Sequence, residues 1–83
     1  MNKFLVEIYI PAIGKSYDAF LPEQITIEQA LTTLNGVFSK LNPEYFKNTS
    51  QQLLCDKETG VIFNPQELVC NTRITNGSKL LLI

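Results

Sequence analysis

The clearest pattern in the chain is an apolar stripe of helical spacing between residues 25 and 43. Thr26 and Gln29 form a T-x-x-Q capping box, in which each side chain bonds the other residue's backbone amide, and this marks a helix start. Pro43 disfavours helical geometry in Asn42 and marks the end. The apolar residues recur every three or four positions, which predicts one face packed against a sheet. They are Ile27, Ala30, Leu31, Leu34, Val37, Phe38 and Leu41.

Two strands are predicted before this helix. Residues 3–10 alternate with a period of two, which is typical of a half-buried strand, and the even-numbered positions from Phe4 to Ile10 are predicted to face the helix. Residues 11–15 contain Pro and Gly and predict a turn, so residues 16–21 are expected to return as an antiparallel strand. Pro22 removes a backbone donor where that strand should end.

The second half of the chain predicts shorter elements. The connector 43–50 is polar and allows one turn of helix, with Tyr45 and Phe46 pinning it against the domain edge. Residues 66–73 lack a clear period and also allow one helical turn, with Leu68 and Val69 as small buried plugs. Three further strands are predicted, at residues 52–56, 61–63 and 79–83. The turns before the last two of them are rich in the residues that turns favour, at 57–60 and 75–77.

This order of elements predicts an α+β fold. A hairpin, one amphipathic helix and a last strand parallel to the first at the sheet centre make a β-grasp arrangement, with a mixed four- to five-stranded sheet. A generic split βαβ domain is the competing interpretation. A chain of 83 residues has room for one core, so we expect a single domain over residues 1–83.

Charge and hydropathy exclude several classes of partner. Seven basic and eight acidic residues give a net charge of -1, which leaves no basic patch for nucleic acid. No segment approaches the roughly 20 apolar residues of a membrane span, and no signal peptide is visible, so membrane insertion is not expected and the predicted location is cytoplasmic. Near-zero net charge eases association between protein surfaces, which allows a weak homodimer.

The residues do not predict a catalytic, cofactor or metal site. The chain has no histidine, the usual general base near neutral pH, and we therefore predict that it is not an enzyme. Cys55 and Cys70 form no C-x-x-C motif and are expected to be free, buried thiols that act as small hydrophobes. The acidic pairs that might suggest catalysis lie at a cap and a turn, where such residues are common: Glu23 with Glu28, and Asp56 with Glu58.

Strand alternation predicts an apolar surface on the uncovered side of the sheet. If the even-numbered residues of the first strand face the helix, the odd-numbered ones point away, together with residues of the second and last strands. Contiguous exposed apolar area usually marks an interaction site. The predicted protein-binding residues are Leu5, Tyr9, Phe20, Leu81 and Ile83. The alternatives are that the connector after the helix folds over these residues, or that a bulge shifts the alternation.

Two stretches resemble ubiquitin-like proteins. Residues 21–28, Leu-Pro-Glu-Gln-Ile-Thr-Ile-Glu, resemble the strand-to-helix crossing of that superfamily. Leu68 followed by residues 74–83, Ile-Thr-Asn-Gly-Ser-Lys-Leu-Leu-Leu-Ile, resembles its closing segment. Within the superfamily the chain is most similar to the bacterial YukD/EsaB family, although the connector 43–50 departs from the family pattern. The resemblance implies a cytoplasmic accessory component associated with type VII secretion that does not modify other proteins.

Two other functions stay open. Ubiquitin-type conjugation and sulfur carriage both need a flexible tail ending in Gly-Gly, whereas the sequence stops at Ile83 within a predicted strand. A carrier or modifier therefore requires a Gly-Gly tail that the sequence does not show. A structural subunit of a larger assembly has no sequence feature that distinguishes it from an interaction module.

Overall fold

The computed structural model describes residues 2–46 and 52–83. These residues form four strands, two α-helices and one turn of 3-10 helix. In chain order they are β1 Lys3–Ile10, β2 Lys15–Pro22, α1 Ile27–Leu41, α2 Pro43–Phe46, β3 Leu54–Asp56, the 3-10 turn Val69–Asn71, and β4 Lys79–Leu82.

The four strands form one mixed sheet in the order β2-β1-β4-β3. β1 and β2 pair antiparallel without a bulge, β1 and β4 pair parallel, and β3 pairs antiparallel with β4. The two strands from opposite ends of the sequence therefore lie side by side at the centre. Ile8 and Leu80 are in register there, and both side chains are buried in the core against α1. The β-grasp prediction is confirmed.

A tight turn holds the last strand against the first. The Leu5 amide donates a hydrogen bond to the side-chain oxygen of Asn76 at 2.8 Å. The Gly77 amide donates to the Leu5 carbonyl at 2.8 Å. Gly77 has φ +87°, a conformation that residues with a Cβ rarely adopt. The Glu7 amide then donates to the Ser78 carbonyl at 3.0 Å, which starts the parallel ladder. The Asn-Gly pair thus fixes the register of the central strands.

The predicted capping box is present at the start of α1. The Gln29 amide donates to the Thr26 hydroxyl at 3.1 Å, and the Thr26 amide donates to the Gln29 side-chain oxygen at 2.9 Å. The helix ends at Leu41, in agreement with the predicted effect of Pro43 on Asn42, and the Asn42 amide donates to the Phe38 carbonyl at 2.8 Å. Both ends of the helix therefore agree with the sequence prediction.

The buried face of α1 is narrower than the apolar stripe predicted. Ile27, Ala30, Leu34 and Phe38 are buried and Leu31 packs against them, but Val37 is 50% and Leu41 55% exposed. At about 100° per residue, Val37 is rotated away from the line of buried residues, to the side of the helix where Gln29 and Thr33 line a groove with Leu21 of β2. Leu41 is the last residue of the helix. The prediction that these two side chains belong to the core is wrong.

The prediction of a strand at residues 61–63 is also wrong. Only Ile62 pairs there, in a single bridge to Cys55, because the chain turns back tightly after β3. The Gly60 amide donates to the Asp56 carbonyl at 2.8 Å, and the Phe63 amide donates to the Leu54 carbonyl at 2.9 Å. These contacts let Phe63 bury its ring without forming a strand.

The two predicted helical turns are confirmed, as α2 and the 3-10 turn. Val69 is fully buried as a plug, while Leu68 is half-buried and bridges to Thr26. The prediction that Tyr45 and Phe46 pin the connector concerns side chains that, like residues 47–51, lie outside the described part of the chain.

Replacing Thr26 tests whether the capping box holds the helix start. We expect Thr26→Ala to lower the free energy of unfolding by about 1 kcal/mol, because the Gln29 amide loses its acceptor. Urea titration followed by circular dichroism measures this change. The matched control is Thr32→Ala, since Thr32 is an exposed mid-helix residue whose hydroxyl donates to the Glu28 carbonyl within the helix. An equal loss in both variants would contradict a specific role of the cap.

Candidate protein-binding face

The side of the sheet opposite α1 presents the five residues predicted to bind protein. Val6, Ile8 and Ile10 are buried under the helix, so strand alternation places Leu5 and Tyr9 on the other side. Leu5 is directly opposite Phe20 on β2, and Tyr9 is directly opposite Leu81 on β4. We call this side of the sheet the open face.

The exposure of the five residues is unequal. Phe20 is 63%, Ile83 48% and Leu5 43% exposed. Single exposed apolar side chains are common in proteins, so the informative observation is that these three lie on the same side of the sheet. Tyr9 and Leu81 are half-buried. The continuous register of β1 and β2 rules out the bulge that would have shifted the alternation. The binding role of these residues stays a prediction.

The open face carries two further exposed apolar residues that strand alternation does not predict. Leu53 is exposed and exchanges two backbone hydrogen bonds with Ile83, at 2.7 and 3.0 Å, so the two side chains are neighbours. Ile62 is also exposed and bridges to Cys55, which pairs with Leu81. No alternation marks these positions in the sequence. Only the pairing of the strands brings them to the face.

A row of charged residues crosses the open face and divides its apolar area. Glu7 lies between Leu5 and Tyr9 along β1, and it is directly opposite Asp18 on one side and Lys79 on the other. The expectation of one contiguous apolar patch is therefore wrong. The face carries two apolar clusters. The first is Leu5 with Phe20; the second is Tyr9, Leu81, Ile83, Leu53 and Ile62.

Each cluster has a lysine over its aromatic ring. The Lys3 ammonium lies 5.5 Å from the centre of the Phe20 ring, and that of Lys57 lies 4.8 Å from the centre of the Tyr9 ring. At these distances the cation is attracted by the ring face. The long stems of both lysines add apolar surface, while their charged ends favour acidic groups in a partner.

The two cysteines differ from each other. Cys55 is buried as predicted, and burial raises the pKa of its thiol above the ordinary value, which makes it a weaker nucleophile at neutral pH. Cys70 is exposed, which corrects the prediction that both thiols are buried, since the turn Val69–Asn71 points Val69 inward and leaves its neighbour outside. Within residues 2–46 and 52–83, no three Cys, Asp or Glu side chains form a cluster suited to a metal ion.

The helices of the described residues include none that is long and apolar enough to cross a membrane.

The sequence matches no family model and no curated protein. Solved structures show the fold: the chain has the ubiquitin-like β-grasp fold found in several ubiquitin-like domains.

One of the similar structures is a domain of a type VII secretion system protein. The ubiquitin-like domain of the Mycobacterium tuberculosis secretion protein ECCD1 is 15% identical with a TM-score of 0.78, and the alignment covers 100% of this chain and 99% of that one. The EccD5 ubiquitin-like domain from Mycobacterium xenopi is 17% identical, with a TM-score of 0.80 and coverage of 100% and 94%. A chain of the MycP5-free ESX-5 inner membrane complex is 13% identical with a TM-score of 0.81, and this chain spans 21% of its length.

Alkylation should separate the two thiols. We expect iodoacetamide at mildly alkaline pH to add one group to the native protein, at Cys70, because the Cys55 thiol is buried and its pKa is raised. Intact-mass spectrometry counts the groups, and urea should expose the second site. Cys70→Ser is the control and should stay unlabelled until it unfolds. Equal reaction rates at both thiols of the native protein would contradict the burial of Cys55.

Proposed function

We propose that the chain is a non-catalytic ubiquitin-like module that binds a protein partner through its open face and serves a bacterial type VII secretion system from the cytoplasm. In this role it is an accessory or regulatory component, as the resemblance to the YukD/EsaB family implies. Residues 1–83 act as one domain. The observation that carries the proposal is the exposure of Phe20, Leu5 and Ile83 on one side of an ordered sheet.

The energetic case rests on the two apolar clusters of the open face. A fully buried Phe or Leu side chain contributes about 1.5–3 kcal/mol relative to an exposed one, so Phe20, Leu5 and Ile83 forgo a substantial part of that when the face is open. A partner that covers them recovers this free energy. In protein interfaces a few well-packed side chains that are shielded from water contribute most of the binding free energy.

The partner must also match the charges of the face. The row formed by Lys79, Glu7 and Asp18 separates the clusters, and Lys3 and Lys57 border the two aromatic rings. A complementary surface carries two apolar contacts with polar groups between them and acidic groups beside each lysine. Charge matching of this kind selects the partner and its orientation more than it raises affinity.

The assignment to secretion is supported by structural similarity. The matching domains of EccD proteins align with all of this chain, and their TM-scores are 0.78 and 0.80. The third similar chain belongs to a structure described as an inner membrane complex. A module with the same fold and an exposed apolar face is suited to joining such an assembly.

Charge substitutions on the open face test this function. We expect Leu5→Asp combined with Ile83→Asp, one change in each cluster, to abolish export of type VII substrates in a strain that lacks the wild-type protein. Both side chains are about half exposed, so urea titration should show unfolding free energies within about 1 kcal/mol of wild type. Leu81 is less suitable because it is half-buried.

The matched control is Val37→Asp, which places the same charge on an equally exposed apolar residue of α1. It should leave export unchanged. Export that survives the open-face variant, or that is lost only on Val37→Asp, would overturn the proposal. Unfolding of the double variant would show instead that the face belongs to the core.

A further inference from the structure

The charged row of the open face continues onto the fourth strand. Asp18, Glu7 and Lys79 are in register on β2, β1 and β4. Lys57 follows β3 directly, and its amide donates to the Lys79 carbonyl at 2.9 Å. The Lys57 ammonium lies over the ring of Tyr9, which places this side chain on the open face as well. From β2 to β3 the row therefore has the order negative, negative, positive, positive.

Residues of like charge are neighbours in this row. Glu7 and Asp18 face each other directly between β1 and β2, where like charges are destabilising. Lys79 and Lys57 are neighbours on β4 and β3 in the same way. Within the part of the chain that the structure describes, none of the four side chains forms an ion pair. A second surface with positive groups over β2 and β1, and negative groups over β4 and β3, would match all four charges.

A second copy of the chain is such a surface. Two open faces can meet about a two-fold axis that runs along the strands, between β1 and β4, so that β1 lies over β4 of the second copy and β2 over its β3. Glu7 then faces Lys79 of the second copy, and Asp18 faces Lys57 of the second copy. Each contact occurs twice, because a two-fold interface pairs the same surface with itself. Sheets commonly pack face to face with their strands within about 30° of each other.

Other two-fold arrangements of the open face bring like charges together. An axis along the row, across the strands, places each charged residue opposite its own copy. An axis over β1 places the two Glu7 carboxylates together, and an axis over β4 does the same with the two Lys79 ammonium groups. Among these arrangements, only the axis between β1 and β4 places an opposite charge over every charge of the row. The order of the charges thus defines the geometry of the dimer.

The apolar residues of the face fit the same axis. Tyr9 and Leu81 are in register on β1 and β4, so Tyr9 of each copy lies over Leu81 of the other. Both are half-buried in the single chain and become covered in the dimer. Gly77 lies beside Leu5, and its lack of a side chain leaves space for Leu5 of the second copy. The contact therefore covers apolar surface as well as matching the charged row.

We propose that the open face binds a second copy of the chain about this axis, and that the dimer covers the face until a secretion partner displaces the second copy. The dimer follows from the sheet alone, whereas its displacement rests on the proposed function. The contact spans four strands, about 15–20 Å across, and is smaller than the interface of a stable complex. We expect a weak dimer that dissociates on dilution, so that a partner can compete for the face.

Charge reversal tests the contact between Glu7 and Lys79. Sedimentation velocity of the purified protein, up to about 1 mM, measures the equilibrium between monomer and dimer. We expect Glu7→Lys and Lys79→Glu each to weaken the dimer at least about tenfold, because each brings two pairs of like charges together. A mixture of the two variants should form a heterodimer, and the chain with both substitutions should again form a homodimer. The control is Lys40→Glu on α1, which changes the net charge equally and should dimerise like wild type.

Contacts between the copies provide a second measurement. In a mixture of isotope-labelled and unlabelled chains, filtered nuclear Overhauser spectra detect only contacts between two copies. We expect contacts from the Tyr9 ring to the Leu81 methyl groups, and none from Val37 of α1. Urea titration of each variant checks that a lost dimer is not a lost fold.

Displacement of the second copy is tested in the cell. A benzophenone amino acid at Leu81 should cross-link a second copy in a strain that lacks the type VII secretion genes. The amount of this product should decrease when the genes are present, because the partner then covers the face. An unchanged amount would overturn the displacement.

Three outcomes overturn the dimer. They are a wild-type protein that is monomeric at about 1 mM, a mixture of the two charge variants that stays monomeric, and contacts between copies that involve α1 instead of the open face. Because export is measured separately, a monomeric protein whose open-face variant still loses export overturns the dimer alone. A protein that dimerises as described, but whose open-face variant retains export, overturns the proposed function alone.

Discussion

The parallel pairing of β1 with β4 is the contact on which the rest of the structure depends. It joins the two ends of the described chain at the centre of the sheet, and the bonds of Asn76 and Gly77 to Leu5 set its register. Once Ile8 and Leu80 lie side by side, a single helix covers the inner face of the strands. Parallel pairs need a long crossover, and here the hairpin return, α1 and the loops that follow supply it.

The same pairing creates the surface to which we assign binding. Because one helix covers one side of the sheet, the other side keeps Phe20 exposed. Because β4 lies beside β1, the acidic pair of Glu7 and Asp18 adjoins the basic pair of Lys79 and Lys57. The two-fold axis of the dimer lies between these two strands. The pairing therefore determines both where a partner binds and how a second copy fits.

Local patterns predicted those elements that local interactions determine. The capping box of Thr26 and Gln29 fixed the helix start, and alternation along β1 assigned each side chain to its face. The width of the buried helical stripe depends instead on how far the sheet extends beneath the helix. The helical spacing alone therefore predicts wrongly that Val37 belongs to the core. The apolar residues 61–63 are too short a run to distinguish a strand from a turn that buries only Phe63.

The candidate site was predictable in part for a similar reason. The sequence indicated which residues leave the core, and all five lie on the open face, but their neighbours depend on the strand register. Glu7, Asp18 and Lys79 are distant in sequence, and only their pairing reveals a charged row across the face. The position of Leu53 on the open face is not predictable from the sequence for the same reason. Leu53 lies there because it exchanges backbone hydrogen bonds with Ile83, which is thirty residues away in the sequence.

The most direct test of the open face is photo-cross-linking in the native cell. A benzophenone amino acid is placed at Leu5, at Ile83 or, on the helix, at Val37, and cross-linked proteins are identified by mass spectrometry. We predict that positions 5 and 83 capture the same component of the type VII secretion machinery, and that position 37 does not capture it. Capture of that component from position 37 alone would contradict the assignment of the open face.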